Sequence, residues 1–541
     1  MKNSKRISIL ATSVLVAALT LSGCSSASSD TSSTSSSANS SSGGTLTFAI
    51  GNDPLVFNPS GIGNGNDTLY VTRQIFDSLV YSNPDTAELE PWLAKSWEVN
   101  ADATQFTFHL RDDVTFSDGS ALTAQTVAAN FDDIKAAGAN SSGASDIRTY
   151  ESSQVVDDHT VIIKLSAPNA AFLSALAGVP FGIVSDASLK IPFADRALGK
   201  GVAGSGPFTL ESYTKDSQVT LKKREGYKWA PADFENRGDA YLDSVEFKII
   251  PEAGNRTGGL SSGQIDVAGG IAPNDIASVE ASNSIVSRAN PGTIFGLYFN
   301  YKKSALQDEK VREAVSLAVD PQEVRDGALS DQFKVATSPL SSTTKDYADV
   351  SDAIKTNDPE AAKKLLDEAG WVVGPDGTRT KDGQTLNLRI TYINNFGANA
   401  DSIALIQEQL RAVGIASTQV TGTVPEFLST ITAGDYDLAW ANSSKVDADV
   451  LRSTFGDVGS TTNFPIADPE LQAELGAQQS IGDPAARSAA LEKIQHDIVA
   501  RYEFVPVHEL TTVIGVADDI EGVSLGADSR LSLLVDAKET K

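Results

Sequence analysis

A mixed α/β fold is what the sequence predicts, and three stretches predict it. Residues 386–392 alternate as a strand. Residues 398–413 carry Ile403, Ile406, Leu410 and Val413 at helical spacing and stop at Gly414. Residues 416–420 return to strand. Strand-helix-strand order builds parallel pairing, and ligands then sit outside the strand ends. Residues 45–50, T-L-T-F-A-I, alternate in the same way. In the third stretch, residues 434–455, Tyr436, Leu438 and Trp440 alternate with Asp437 and Ala439. This predicts a strand over 436–441 that Asn442-Ser443-Ser444 breaks, after which Asp447 or Asp449 caps a helix through Leu451, Arg452 and Phe455.

The remaining elements follow in order. The segment 51–67 is a loop rich in Gly, Asn and Pro. Residues 69–80 have helical spacing through Leu69, Val71, Ile75, Phe76 and Leu79. Residues 104–110 alternate as a strand, and Thr123 is placed to cap a helix through Val127 and Phe131. Residues 155–165 read as a hairpin turning at Asp157-Asp158-His159. Leu365, Leu366 and Ala369 give a helical apolar face that ends at Gly370, with Trp371 packing behind it.

The front end has a different character. Lys2, Lys5 and Arg6 precede an apolar run over 7–21, the pattern of a signal peptide and too short for a stable membrane-spanning helix. Residues 25–44 contain only Ser, Thr, Ala, Asn, Asp and Gly. Such a stretch cannot bury a core and predicts a flexible tether with a reach of about 25 Å. The chain has 541 residues, 41% of them apolar, and a net charge of −27. Loss of the three leading cations makes the charge more negative still. That balance argues against nucleic acid and against direct adhesion to anionic lipid.

Two resemblances sharpen the reading. Leu21-Ser22-Gly23-Cys24 resembles the lipobox of bacterial lipoproteins, which implies acylation of Cys24, the single cysteine of the chain. Two acyl chains suffice for stable anchoring. The motifs P-W-L-A-K-S-W-E-V (91–99), F-T-F-H-L-R-D-D-V-T-F-S-D-G (106–119) and G-S-G-P-F-T-L (204–210) resemble family 5 extracellular solute-binding proteins, the peptide- and nickel-type receptors of ABC importers. L-S-S-G-Q-I-D (260–266), L-Y-F-N (297–300), V-R-E-A-V-S-L-A-V-D (311–320), A-A-K-K-L-L-D-E-A-G (361–370) and I-Q-E-Q-L-R-A-V-G-I (406–415) follow in family order.

The resemblance implies a two-lobed periplasmic-binding-protein-like fold with an extra domain inserted in the first lobe. The expected division is a signal peptide over 1–23 and a lipid-anchored Ser-rich linker over 24–43. The first lobe takes 44–80, 201–291 and 513–541, the inserted domain 81–200 and the second lobe 292–512. The implied function is capture of a solute between the lobes and delivery to a permease and its ATPase subunits, by a monomer facing outside the cell. A short peptide leads; a nickel chelate, haem, an oligosaccharide or an opine-like solute are the alternatives.

In peptide-binding relatives an acidic residue near 447–449 pairs with the ligand ammonium, which makes Asp447 and Asp449 candidates; either could instead only cap the helix. Arg452 could take a carboxylate, or pair with Asp449 three residues earlier. Trp440 offers an apolar wall, and Asn442 follows it. On the strand entering the second lobe, alternation separates Phe295 and Leu297 from Tyr298 and Asn300, so one pair can face a ligand. Gly296 allows close backbone approach there. Asn395 and Phe396 form a further loop candidate, and Asn58 and Gly206 are offered by the first lobe.

Metal and catalytic readings are poorly supported. His109, His159, His496 and His508 are too widely spaced to form a ligand pair, so no cofactor or metal is expected. Of the four, His508 is the best placed for ligand contact. Gly259-Leu260-Ser261-Ser262-Gly263 matches the nucleophile-elbow pattern of hydrolases but ends a predicted helix rather than joining a strand to one. A secreted hydrolase is therefore the remote alternative.

Overall fold

The structure, a computed structural model, describes residues 43–63, 65–457 and 464–540. Contacts divide the chain into residues 1–39 and residues 40–541, and every described residue belongs to the second unit. The expected signal peptide and Cys24 lie outside the described residues.

Two sheets organise the body. The first has seven strands, ordered Ser284–Ala289, Thr511–Val516, Val267–Gly269, Thr45–Ile50, Ser244–Ile249, Gln218–Lys223 and Phe208–Thr214. Thr45–Ile50 lies at its centre, parallel to both neighbours, with Phe48 opposite Phe247 and their rings 5.4 Å apart. The second has five strands, ordered Ala416–Gly422, Asn387–Ile393, Leu438–Ser444, Gly292–Phe299 and Phe504–His508. The expected strand-helix-strand unit is present: Asn387–Ile393 and Ala416–Gly422 pair in parallel, joined by the helix Ala398–Ala412.

Between the first strand and the return of the chain near Gly204 lies a four-stranded antiparallel sheet, ordered Ala94–Val99, Gln105–Leu110, Thr160–Leu165 and Tyr150–Asp157. Alternation of Phe106, Phe108 and Leu110 buries one face of it. The helix Ala124–Ala137 covers that face, capped by the Thr123 side chain as expected.

The chain passes between the two large sheets at two places, after Ala289 and after His508. The crossings hold each other. The Asn290 N–H donates to the Leu510 carbonyl at 2.7 Å, and the Thr512 hydroxyl donates to the Asn290 side chain at 2.9 Å.

Three local expectations need correction. The strand predicted to break at Asn442 runs on through Ser444, because Ser443 and Ser444 pair with Thr293 and Gly292. The helix predicted over 69–80 is Gly65–Arg73. Beyond it the carbonyls of Gln74 and Ile75 accept from Phe208 and Gly206 of the returning chain, so the backbone is used between segments rather than within a helix. The strand Gly292–Phe299 offers no face to a ligand. All eight residues are buried, Phe295 and Leu297 in one core and Ile294 and Tyr298 in another. Gly296 does allow a close backbone approach, but to the Val505 carbonyl of the neighbouring strand.

Gly206 has a similar packing role. A Cβ there would sit 2.5 Å from the Ile75 carbonyl carbon and 2.6 Å from the Gln74 oxygen, both backbone atoms. Gly206→Ala is therefore expected to destabilise by about 1–3 kcal/mol, the usual penalty for overpacking. Urea unfolding checks this, and an unchanged midpoint would show that the return segment is not held this tightly.

Candidate functional site

The strand Leu438–Ser444 ends at a cavity of about 400 Å³, within the range of roughly 300–1,000 Å³ common for small-molecule sites. Three regions build its wall. One, at the end of the strand Leu438–Ser444 in the five-stranded sheet, runs from Ser443 to Ser453. A second, around the four-stranded sheet, runs over 142–148 and 169–181. A third brings Leu69, Asp528 and Arg530. A side chamber of about 40 Å³, space for roughly one water, adjoins it and shares Gly178, Val446 and Asp528.

The third contribution rests on a tight turn. Leu525 bridges Leu531, the Gly526 N–H donates to the Arg530 carbonyl at 2.8 Å, and Ser529 donates back to Gly526 at 2.8 Å. Ser529 adopts φ 56°, a left-handed conformation that costs a non-glycine residue about 1–2 kcal/mol. This turn carries both Asp528 and Arg530 at the cavity wall.

Asp447 is buried and fully engaged. Arg487 grips both of its oxygens, at 2.5 and 3.0 Å. The Asp449 N–H and the Ser174 hydroxyl add bonds of 2.8 and 3.0 Å. Ser174 belongs to the short helix Phe172–Ala175, so this carboxylate ties that distant segment to the end of the strand Leu438–Ser444. Burial pushes the Asp447 carboxyl up, but the Arg487 charge and these hydrogen bonds outweigh it and hold the group below the ordinary value. Asp449 begins the helix Val450–Phe455 without a side-chain cap. Its oxygens instead accept from Nε and Nη2 of Arg452, at 2.9 and 2.7 Å, and from the Gln478 amide. Lys445 pairs with Asp146 at 2.7 Å, and both line the cavity.

Of the residues singled out from sequence, Asp447, Asp449 and Arg452 line this cavity. The others are placed elsewhere. Trp440 is buried, donates to the Asn399 side chain at 3.0 Å and stacks on Phe295. Phe396 stacks on the far side of the same cluster, and Asn395 is exposed beside it. His508 is enclosed against Phe295 and Trp440, and burial pushes its pKa down to about 4. Asn442 is half-buried in its strand and does not line the wall, whereas Ser443 and Ser444 do. Tyr298 is sealed among Phe455, Phe464 and Phe504. Asn300 donates to the carbonyls of Gly434 and Tyr436 and borders a separate groove. Asn58 is buried off the cavity, and Gly206 packs on Ile75.

Sequence reasoning missed Ser174, Arg148, Lys445, Asp528 and Arg530. The inserted domain carried no local signal that it would form a wall. Lys445, one residue past the expected break, is the member that a longer strand would have exposed. Among the described residues no group of three or more His, Cys, Asp or Glu side chains is arranged to hold a metal. Ser261 of the elbow-like motif ends the helix Ala253–Ser261, and its hydroxyl donates to the Thr257 carbonyl one turn earlier.

The Asp447–Arg487 pair predicts an asymmetric response to mutation. Arg487→Ala strands a buried carboxylate and is expected to cost about 3–5 kcal/mol at neutral pH. Because the folded carboxyl lies below its ordinary value, its stabilisation is full above about pH 4 and is lost as pH falls through the folded value. Asp447→Asn should flatten that acid limb. Urea unfolding from pH 6 to pH 3 measures both, and an acid limb unchanged in Asp447→Asn would remove Asp447 as its cause.

Comparison with known proteins agrees with this architecture. Residues 88–463 match the description "Bacterial extracellular solute-binding proteins, family 5 Middle". The "Probable D,D-dipeptide-binding periplasmic protein" of Escherichia coli K12 is 30% identical over 408 residues, covering 73% of this chain and 74% of the relative. A "Dipeptide-binding protein" of the same organism is 30% identical over 446 residues, covering 78% and 77%. The crystal structure of an ABC transporter substrate-binding protein from Listeria monocytogenes superposes with a TM-score of 0.78 at 24% identity, covering 92% of this chain and all of that one. No helix among the described residues is long and apolar enough to cross a membrane. With the family description matched over residues 88–463 and relatives at 30% identity covering more than two thirds of it, the chain belongs to the family 5 bacterial extracellular solute-binding proteins.

Proposed function

We propose that this protein is the lipid-anchored ligand receptor of an ABC importer, and that it captures a short peptide between its lobes for delivery to a membrane permease. The observation that carries the reading is the cavity wall, drawn from both lobes and the inserted domain. A ligand held there contacts parts that the two crossings at Asn290 and Leu510 allow to move, so binding favours the closed form. Two relatives named for dipeptide binding support the peptide class. Cys24, with its lipobox-like context, is the proposed anchor, and the following Ser-rich segment the tether. We adopt the division into 44–80, 201–291 and 513–541 for the first lobe, 81–200 for the inserted domain and 292–512 for the second lobe. The protein acts as a monomer, on the outer face of the cell membrane, without covalent chemistry.

Within the second lobe the proposed ligand-facing groups are the Asp449–Arg452 pair and the end of the strand at Ser443 and Ser444. Asp447 supports them from behind, since Arg487 and Ser174 already occupy its oxygens.

Native mass spectrometry of the protein purified from its host tests the reading. A copurifying peptide is expected. Added peptide at about 100 times its Kd should stabilise the protein by about 2.7 kcal/mol. Absence of any copurifying solute, together with no stabilisation across a di- and tripeptide panel, would overturn the peptide class. Lys445→Ala is expected to weaken binding no more than about fivefold, because an exposed ion pair contributes roughly 0.2–1 kcal/mol. A much larger loss, read by calorimetry, would place Lys445 on the ligand itself.

A further inference from the structure

The charges around the cavity do not balance, and the imbalance runs against the rest of the molecule. Over the whole chain 70 acidic residues face 43 basic ones. At the cavity and its side chamber every acid already has a cation. Asp146 holds Lys445, and Asp449 holds Arg452. Asp447 holds Arg487 from behind, and Asp528 lies 3.7 Å from Arg530.

Two lining guanidiniums are left over. Arg148, exposed at the rim, donates only to the Ser145 carbonyl at 3.3 Å. Arg73, in the side chamber, lies over the Trp92 ring and donates only to the Phe76 and Ala177 carbonyls and the Ser78 hydroxyl. Neither has a carboxylate within 4.0 Å among the described residues. Among the described residues Arg288 also has no carboxylate within 4.0 Å, and it donates to the Pro84 carbonyl. Burial pushes both Arg73 and Arg288 below the usual arginine value, against the opposing pull of Asp528 and Asp77 on Arg73 and of Asp85 and Asp528 on Arg288, so Arg148 is the lining cation left without a nearby carboxylate.

Resting on the peptide reading, we propose that the cavity selects a peptide carrying an excess negative charge, an acidic dipeptide or tripeptide, with Arg148 receiving its side-chain carboxylate. A neutral zwitterionic peptide brings one ammonium and one carboxylate and leaves the surplus of cations as it was. An added carboxylate offsets it. Arg148 is the surplus cation with its nitrogens still open, whereas those of Arg73 are largely committed to neutral oxygens. Closure of the lobes would take Arg148 and the carboxylate partly out of water, where their attraction is stronger than at an open surface.

Calorimetry with isosteric dipeptides tests this on the full chain. Ala-Glu is compared with Ala-Gln, and Glu-Ala with Gln-Ala, in the wild type and in Arg148→Gln. Arg148 is exposed, so that variant is expected to fold, and its thermal unfolding is checked alongside. In the wild type at least one Glu peptide should bind about fivefold or more tighter than its Gln partner. In Arg148→Gln that ratio should fall towards one, with the Gln peptides unchanged. If Gln peptides bind as tightly as Glu peptides in both pairs, or if the preference survives in Arg148→Gln, the inference is overturned and the peptide reading stands. If no dipeptide binds the wild type, the peptide reading falls and this inference with it.

Discussion

A single buried carboxylate sets the geometry of the candidate site. Asp447 sits where the strand Leu438–Ser444 gives way to the helix Val450–Phe455. Taking such a group out of water costs several kcal/mol unless its lone pairs are answered. Here four donors answer them, from Arg487, Asp449 and, across the domain boundary, Ser174. The demand of one ion for partners therefore draws together a strand end, a helix start, the long helix Pro484–Ala500 and the inserted domain. Asp449 and Arg452 are presented to the cavity because Asp447, two residues before Asp449, is immobilised.

Much of the fold was legible in the sequence and much less of the site. Period-two alternation at Phe106 and Phe108, the strand-helix-strand unit around Ile403 and Leu410, and the Thr123 cap all report local physics, and they appear in the structure where the pattern put them. The errors arise where distant segments intervene. Ile75 and Phe76 have helical spacing, yet the chain returning through Gly206 and Phe208 claims the carbonyls a longer helix would use. Trp440 and Phe295 looked like cavity walls because aromatics serve both cores and pockets; the helix Ala398–Ala412 and His508 close over them. Asp528 and Arg530 lie far along the chain from Ser443, and no local periodicity marks a turn that meets a strand end from another lobe.

The same contrast separates the charge of the cavity wall from that of the chain as a whole. The surplus acids are spread over solvated surface, where each is screened within about 10 Å or less at ordinary ionic strength. The arginines are held by carbonyls: Arg73 by Phe76 and Ala177, Arg288 by Pro84. Backbone oxygens satisfy the geometry of a guanidinium without cancelling its charge. The potential at the cavity wall is thus set by the few charged groups that line it rather than by the net charge of the chain.

The order of strands in the seven-stranded sheet bears on how the protein is made. Thr511–Val516 lies between Ser284–Ala289 and Val267–Gly269 and is bonded to both. Until those late residues have been synthesised, Ser284–Ala289 has no partner in its sheet and Val267–Gly269 keeps an open edge. The whole second lobe, by contrast, is complete once Phe504–His508 has joined it. Unpaired edges of this kind invite association with other chains. The seven-stranded sheet takes its first strand from Thr45–Ile50 and closes only with Thr511–Val516, so a chain cut short between them and after Ala289 carries an exposed sheet edge that the complete protein never shows.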